Sequence, residues 1–343
     1  MDWTDQTRPH WITVEMLQPQ MLDAAIGELD GVDLSGSSVS ASYTTDTRTS
    51  AKLRVVGGNW VRGSWLRIVA HYPDWERELG TYVVAGEPYR LSGGVYDLEL
   101  QSLLWAFSKD ECPWPLSLDA GQWAMRVAAA ECGAFRTAFP DGDAKLPEAV
   151  TYDSGTNRLK RHFDLLAIAG MRAEVDGHGV FTAEPLGAAR AAEFSISLAD
   201  PKGIAHGDVT RESDFLTMPN RAGIAYKWNA DGDDRAVYAH SDAKGNASPD
   251  VRGYAVTELK VLEELDPPTY AHAQEEADRL RDTFRESVEW RLRCRYIPIW
   301  EGDTVILDVA DRDPEYSGKR TCRVESLELD LEHMDMSLVL KEV

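Results

Sequence analysis

Eight histidines, four cysteines and 58 acidic residues are the raw material for chemistry in this 343-residue chain. Their spacing decides how much of it is usable. No two histidines stand two, three or four positions apart, so a histidine metal site would have to be assembled wholly by tertiary contact. The chain has no phosphate-binding loop, dinucleotide fingerprint, nucleophile elbow or H-E-x-x-H helix. Cys112, Cys132, Cys294 and Cys322 form no C-x-x-C pair, which excludes a zinc knuckle and a thioredoxin motif. A disulfide joining Cys112 to Cys132, or Cys294 to Cys322, stays open, and free buried thiols are expected in a reducing compartment. Asp141 with Asp143, and Asp231 with Asp233 and Asp234, lack the D-x-D-x-D-G pattern and distal Glu of a calcium loop and read as solvated turns. With so many carboxylates a close pair arises by chance, so spacing alone gives no glycosidase pair. The reading is a structural protein, not an enzyme, with no catalytic residue, cofactor or metal.

One charge pattern stands out in so acidic a chain. Arg291, Arg293 and Arg295 lie at alternate positions and share one face of a strand. Two readings fit. Glu328, Asp330 and Glu332 alternate in the same way and could face the arginines across a neighbouring strand as ion pairs. Alternatively the six side chains belong to a subunit interface, where arginine holds carboxylates in bidentate fashion. Cross-strand pairing is the plainer of the two.

The net charge of −22 repels phosphates and anionic lipid, which argues against a role that depends on neutralising nucleic acid. It is compatible with a surface that DNA must pass without sticking. Eleven tryptophans are a mild sign of assembly, since tryptophan is enriched at interfaces; large cores explain them equally well. The first residues carry neither a basic segment nor an apolar one, and no run approaches the roughly 18 apolar residues of a membrane span. The expectation is synthesis in the cytosol, with no membrane insertion.

The elements that would position these residues are mostly strands. Leu53 and Val55 alternate with Lys52 and Arg54 before Gly57-Gly58-Asn59; Leu66, Ile68, Ala70 and Tyr72 alternate with Trp65, Arg67, Val69 and His71. Tyr96, Leu98 and Leu100 continue the period of two. Residues 1–105 therefore read as a β domain. Residues 106–190 read as a small α/β domain with two helices and a hairpin. The first helix spans Ala120 to Cys132 with Trp123, Val127 and Ala130 on one face; the second spans Arg158 to Ala169 with Leu159, His162, Phe163 and Leu166. Gly133 and Gly170 stop them, and the hairpin turns at 176–179. Residues 191–343 read as a second β domain, with a polar loop or long hairpin tip at 229–250 and one helix at 269–287. Its last strands carry Trp290, Leu292, Cys294 and Tyr296, then Val305, Leu307 and Val309, then Leu327, Leu329 and Leu331, then Met336, Leu338 and Leu340.

This order of parts resembles the phage baseplate-hub and tail-associated (tail tip hub) protein family. The resemblance covers most of the chain through diffuse stretches. Leu79-Gly80-Thr81-Tyr82-Val83-Val84 is similar to the strand that closes the family's first tube domain, and Leu98 to Phe107 to the strand running into its middle domain. Gly155, Leu165, Leu166, Ala167 and Gly170 fit a middle-domain pattern whose tryptophan is missing here. Met218-Pro219-Asn220-Arg221, the helix at 269–287, Glu301-Gly302-Asp303 and the closing hairpin resemble the last tube domain. The resemblance implies a mainly β (α+β) fold: two tube-forming β-barrel or sandwich domains with a small α/β domain between them. It implies a homotrimer whose two β domains per subunit make a pseudo-sixfold ring, continuing the tail tube and adapting it to the tip. The implied partners are the tail tube or distal tail protein ring, the tape-measure protein and other tip or fibre proteins, with DNA passing through the lumen. The implied location is the virion tail tip, after synthesis in the host cytoplasm. The chain resembles the short form, ending at the closing hairpin, so any lytic or receptor-binding task is expected of another protein. Two other readings compete: a tail-associated cell-wall hydrolase or carbohydrate-binding tail protein, and a hexameric distal tail adaptor, which the α/β middle section fits poorly.

Overall fold

The computed structural model describes residues 9–343 apart from 20, 141, 143, 187–191, 193, 199, 201–202, 231–232, 264–268 and 310–317. The first strands are β1 (Trp11–Gln18), β2 (Met21–Glu28), β3 (Val32–Ser42), β4 (Thr49–Val56), β5 (Trp65–Tyr72), β6 (Trp75–Val84), β7 (Tyr89–Arg90) and β8 (Val95–Ser102). The middle region holds α1 (Leu103–Lys109), β9 (Leu116–Leu118), α2 (Ala124–Glu131), β10 (Val150–Tyr152), α3 (Arg158–Ile168), β11 (Met171–Val175) and β12 (Phe181–Pro185). There follow β13 (Phe194–Ser197), β14 (Ala205–Ser213), β15 (Arg221–Ala230), β16 (Asp233–Asp242), α4 (Pro249–Arg252), β17 (Thr257–Glu263) and α5 (Tyr270–Asp282). The last strands are β18 (Val288–Arg295), β19 (Thr304–Asp308), β20 (Lys319–Asp330) and β21 (Asp335–Glu342).

The fold is mainly β, as the period-two runs require. Strands from both expected β regions hydrogen-bond into one sheet along the path β14-β18-β21-β20-β3-β4-β8-β6-β5-β1-β2. The two regions meet where β20 pairs antiparallel with β3, setting Leu327 opposite Ala41 and Leu329 opposite Val39. All four side chains are buried, so a slip of one residue would turn a whole apolar row outward. In β4 the expected alternation holds: Ala51, Leu53 and Val55 are buried and Lys52 is exposed. In β5 it does not, for every residue from Trp65 to Ala70 is buried. The middle region covers the second face: Trp65, Val83, Leu17 and Leu22 share a core with Leu103, Phe107, Leu166 and Phe181.

The middle region differs in detail from the sequence reading. The strand resembling Leu98 to Phe107 ends at Ser102, whose hydroxyl accepts from Trp105 N and caps α1; Leu103, Leu104 and Phe107 then bury one helical face. α2 begins at Ala124, later than Ala120, and buries Ala124, Met125 and Ala128 where Trp123, Val127 and Ala130 were expected. The expected stripe was offset by one residue because Trp123 is the cap and lies outside the helix. α3 is capped by Asn157 and followed by Gly170 in the left-handed region (φ 69°), and it buries Leu159, Arg161, His162, Leu165 and Leu166. Arg161 is accommodated there by an ion pair with Glu131 of α2, which meets it at 2.9 Å.

Packing divides the chain differently from the boundaries at 105/106 and 190/191, both of which fall inside one compact unit. That unit contains the chain up to Val209, Arg291–Lys341 and Val343; a second contains Thr210–Trp290 and Glu342. The second unit has its own three-stranded sheet in the order β16-β15-β17. Of the two readings of 229–250, polar loop or long hairpin tip, the hairpin holds: β16 pairs antiparallel with β15 from Arg221–Asp242 to Ala230–Asp233. Its polar composition hid a real alternation, with Ala239 buried and Tyr238 exposed. The helix expected at 269–287 is α5, shorter at its C-terminal end, and its Ala273 and Ala277 pack on Ile224 and Tyr226.

Candidate functional site

The arginine stripe lies as expected on the exposed side of β18, where Arg291 and Arg293 are exposed while Leu292 and Cys294 are buried. The proposed carboxylate partners are not on the next strand. β21 runs between β18 and β20, so Glu328 and Asp330 sit two strands away, roughly 10 Å across the sheet. Arg295 pairs instead with Asp335 of β21, its Nη1 lying 2.7 Å from Oδ1, and His206 Nε2 lies 3.6 Å from the same carboxylate. Glu328 is exposed opposite Ser40 of β3. Asp330 is occupied by the turn: its Oδ1 accepts from the backbone N–H groups of Glu332 and His333 at 2.8 and 3.2 Å. Burial by itself would raise that carboxyl, but the His333 N–H, the His333 ring and the Glu332 N–H outweigh it and hold the group below its ordinary range. Glu332 is exposed, and its carbonyl lies 3.2 Å from His10 Nε2. The expected pairing with Glu328, Asp330 and Glu332 is therefore corrected: β21 stands between the two strands, and Arg295 pairs with Asp335.

All four cysteines are free thiols; Cys132, Cys294 and Cys322 are buried. Burial pushes the Cys132 and Cys294 thiols up to about 12, which makes them inert toward electrophiles at neutral pH. Asp141, Asp143 and Asp231 lie outside the described residues, and Asp233 and Asp234 belong to β16. Among the described residues no three His, Cys, Asp or Glu side chains converge as a metal site.

The hollows among the described residues of the first unit include two of note. One of about 590 Å³ lies beside α2 against Trp123, Arg126, Phe139 and Pro140. Its indole carries two cations, Lys145 Nζ at 4.5 Å and Arg126 Cζ at 5.7 Å from the ring centroid. The other, about 310 Å³, lies between β6 and the β11–β12 hairpin, against Thr49, Thr81, Glu174, Glu184 and Trp300. Here the hairpin sits directly on the sheet. Thr81 Oγ1 donates to the Gly177 carbonyl at 2.8 Å, and the buried Arg67 guanidinium donates to the His178 carbonyl at 3.2 Å. Gly177 is required by this approach, since a Cβ there would stand 2.5 Å from the Glu78 carbonyl oxygen.

Next to that contact lies a charged cluster that period-two reading cannot reveal, because its members come from five separate stretches. Tyr43, just past β3, has the Arg172 and Arg323 guanidinium carbons each 4.1 Å from its ring centroid and that of Arg48 at 5.7 Å. Arg172 pairs with Glu174 and lies 3.6 Å from Glu184; Arg323 lies 3.0 Å from Glu325. Glu301 is 2% exposed. Burial, and then the Glu174 charge, push its carboxyl up to about 8 against the pull of Arg48 and Arg172. The adjoining turn is held by Asp303, whose Oδ2 accepts from Trp300 N at 2.6 Å, and by Gly302 at φ 84°, where a Cβ would crowd Tyr43 and Arg172. The Glu301-Gly302-Asp303 signal was legible as a turn; its place in a buried cluster was not.

No helix among the described residues is long and apolar enough to cross a membrane. No family model matches the chain, and no curated protein sequence matches it. Solved structures do. The prophage tail protein gp18 of Listeria monocytogenes EGD-e superposes with a TM-score of 0.55 at 11% identity, over 96% of this chain and 94% of that one. The 43 kDa tail protein of prophage MuSo2 from Shewanella oneidensis gives 0.59 at 11% identity, over 97% and 98%. A chain of a PdpA–VgrG complex gives 0.54 at 10% identity, over 97% of this chain and 64% of that one. Along nearly its whole length, this chain has the fold of phage tail proteins.

Proposed function

We propose that the chain is a structural subunit of a phage tail tip, a homotrimeric hub that continues the tail tube and adapts it to the tip or baseplate. The observation that carries this is the full-length likeness to prophage tail proteins in both directions, which leaves little of either chain for a separate catalytic module. The joined sheet supports it. Residues 1–105 and 191–343 each supply a run of strands, as a trimer requires if it is to offer six near-equivalent surfaces to a sixfold tube. The net charge of −22 suits a lumen through which DNA slides without binding. The partners are further copies of the chain, the tail tube or distal tail ring, the tape-measure protein and other tip or fibre proteins. The site of action is the virion tail tip, reached after synthesis in the host cytoplasm. Arg291, Arg293, Glu328 and Glu332, exposed on their strands and turn, remain candidates for the subunit interface. The protein itself is read as non-enzymatic.

The test is a map of the assembled particle. Three copies of this chain per ring, with both β regions facing the lumen, are expected. Six copies per ring, or a β region turned away from the lumen, would refute the hub. Clearing of peptidoglycan by the pure protein in a zymogram would refute the non-enzymatic reading.

A further inference from the structure

The charge tally of the Tyr43 cluster does not balance unless one carboxyl is neutral. Three guanidiniums, Arg48, Arg172 and Arg323, stand among the carboxylates: Arg172 meets Glu174 and Glu184, Arg323 meets Glu325, and Arg48 lies over the Tyr43 ring. Glu301 is the fourth carboxyl and the deepest of the set. Its Oε2 has no hydrogen-bond partner among the described residues. The groups facing it are Arg48 from the β3–β4 connection, Arg172 and Glu174 from β11, Tyr43, and the buried Tyr82 of β6. Arg48 has its own constraint. It adopts φ 60°, its Nη1 donates to the Tyr43 carbonyl, and burial and the Arg172 charge both oppose its own charge. It is poorly placed to neutralise a further anion. An ionised Glu301 would therefore leave an extra negative charge on a carboxyl that is itself shielded from water.

We propose that this cluster is a proton-held clasp: the β11–β12 hairpin stays fastened to the β3–β4 connection and the Trp300-Glu301-Gly302 turn while Glu301 carries a proton, and loosens when that carboxyl ionises. The geometry makes the hairpin the part that moves. It contributes Arg172, Glu174 and Glu184 to the cluster, and its turn rests on the sheet through two hydrogen bonds, from Thr81 of β6 and Arg67 of β5. The sign follows from the two states. In the unfolded chain Glu301 ionises near 4.5, and in the closed clasp near 8. The closed form therefore holds one proton more across that window. Each unit of rising pH weakens closure by about tenfold, and the effect levels off above the upper value.

The experiment uses the full chain and the variant Glu301→Gln, which keeps the shape and cannot ionise. Hydrogen exchange of residues 171–185 is measured at pH 6 and pH 8.5, corrected for the intrinsic rate. Wild type should open at least tenfold more often at the higher pH, and Glu301→Gln should open equally at both, at the low wild-type level. Infrared difference spectra across the same range should show a protonated-carboxyl band in wild type that is missing from the variant. An unchanged pH response in Glu301→Gln overturns the proposal. So does a variant already open at pH 6, since that would mean the ionised carboxylate, not the neutral acid, holds the clasp. Absence of the carboxyl band at pH 6 overturns it independently.

Discussion

Gly177→Ala should detach the β11–β12 hairpin from the sheet. The added Cβ would stand 2.5 Å from the Glu78 carbonyl oxygen and 2.7 Å from the Glu78 Cβ. The nearer atom is backbone inside β6, so the neighbour cannot swing aside; the turn must retreat by roughly an ångström or β6 must bend. Overpacking of this kind costs about 1–3 kcal/mol. Retreat also stretches two hydrogen bonds, Thr81 Oγ1 to Gly177 O at 2.8 Å and the Arg67 guanidinium to His178 O at 3.2 Å. These contribute about 1 kcal/mol for the neutral bond and about 1.5–3 kcal/mol for the charged one. Part of each is recovered by water once the turn lifts, so the net loss should be about 3–5 kcal/mol. For a unit of this size that is a fall in Tm of roughly 6–20 °C. Urea denaturation followed by tryptophan fluorescence measures it, and exchange at 171–185 shows where it falls. Gly86→Ala is the control, because its Cβ would meet nothing nearer than Glu99 Oε2 at 3.8 Å. A Gly177→Ala protein within about 0.5 kcal/mol of that control would show that the hairpin does not bear on β6 as described.

Three further outcomes are expected. His162 is fully buried in a cage of Phe107, Phe139 and Phe181 rings, and burial pushes its imidazole down to about 4, with a smaller push from Arg158. The unfolded chain therefore takes up a proton first, and stability should fall as pH drops from 6.5 toward 4; His162→Leu should flatten that limb in acid denaturation. In the second unit Ser241 Oγ donates to Asp278 at 2.5 Å and accepts from Arg281 at 2.7 Å, so Ser241→Ala should cost about 1–3 kcal/mol in chemical unfolding. Changing Arg291, Arg293 and Arg295 together to Ser should weaken ring assembly in low salt more than it destabilises the isolated chain, where loss of the half-exposed Arg295–Asp335 pair costs about 1 kcal/mol. Wild-type assembly by that variant would make the stripe a solvated face.

Strands were legible wherever one face met water, because burial then repeats every second residue, as in β4 and β18. β5 read as half-exposed only because nothing local announces that a helical layer will cover Trp65. The length of β16 within 229–250 was not legible for the opposite reason: charged and small residues dominate a strand whose apolar face is narrow. The arginine stripe was placed correctly on its strand, but strand order is a long-range property, and β21 came between the supposed partners. The Tyr43 cluster was invisible because residues 43, 48, 172, 301 and 323 become neighbours only after the sheet has formed.

The pairing of β3 with β20 has a temporal consequence. Residues 38–42 bond to residues 326–330, so this edge of β3 lacks that partner until the far later strand has been synthesised. At the usual pace of translation that delay is roughly a quarter of a minute to a minute. Through that interval the nascent protein offers a row of unsatisfied amides to any other strand in reach. What the edge displays in the meantime is Ser38, Ser40 and Ser42 between Val39 and Ala41, a run too polar on one side to be an attractive template for a stranger. The serines let the first half of the chain wait for the last.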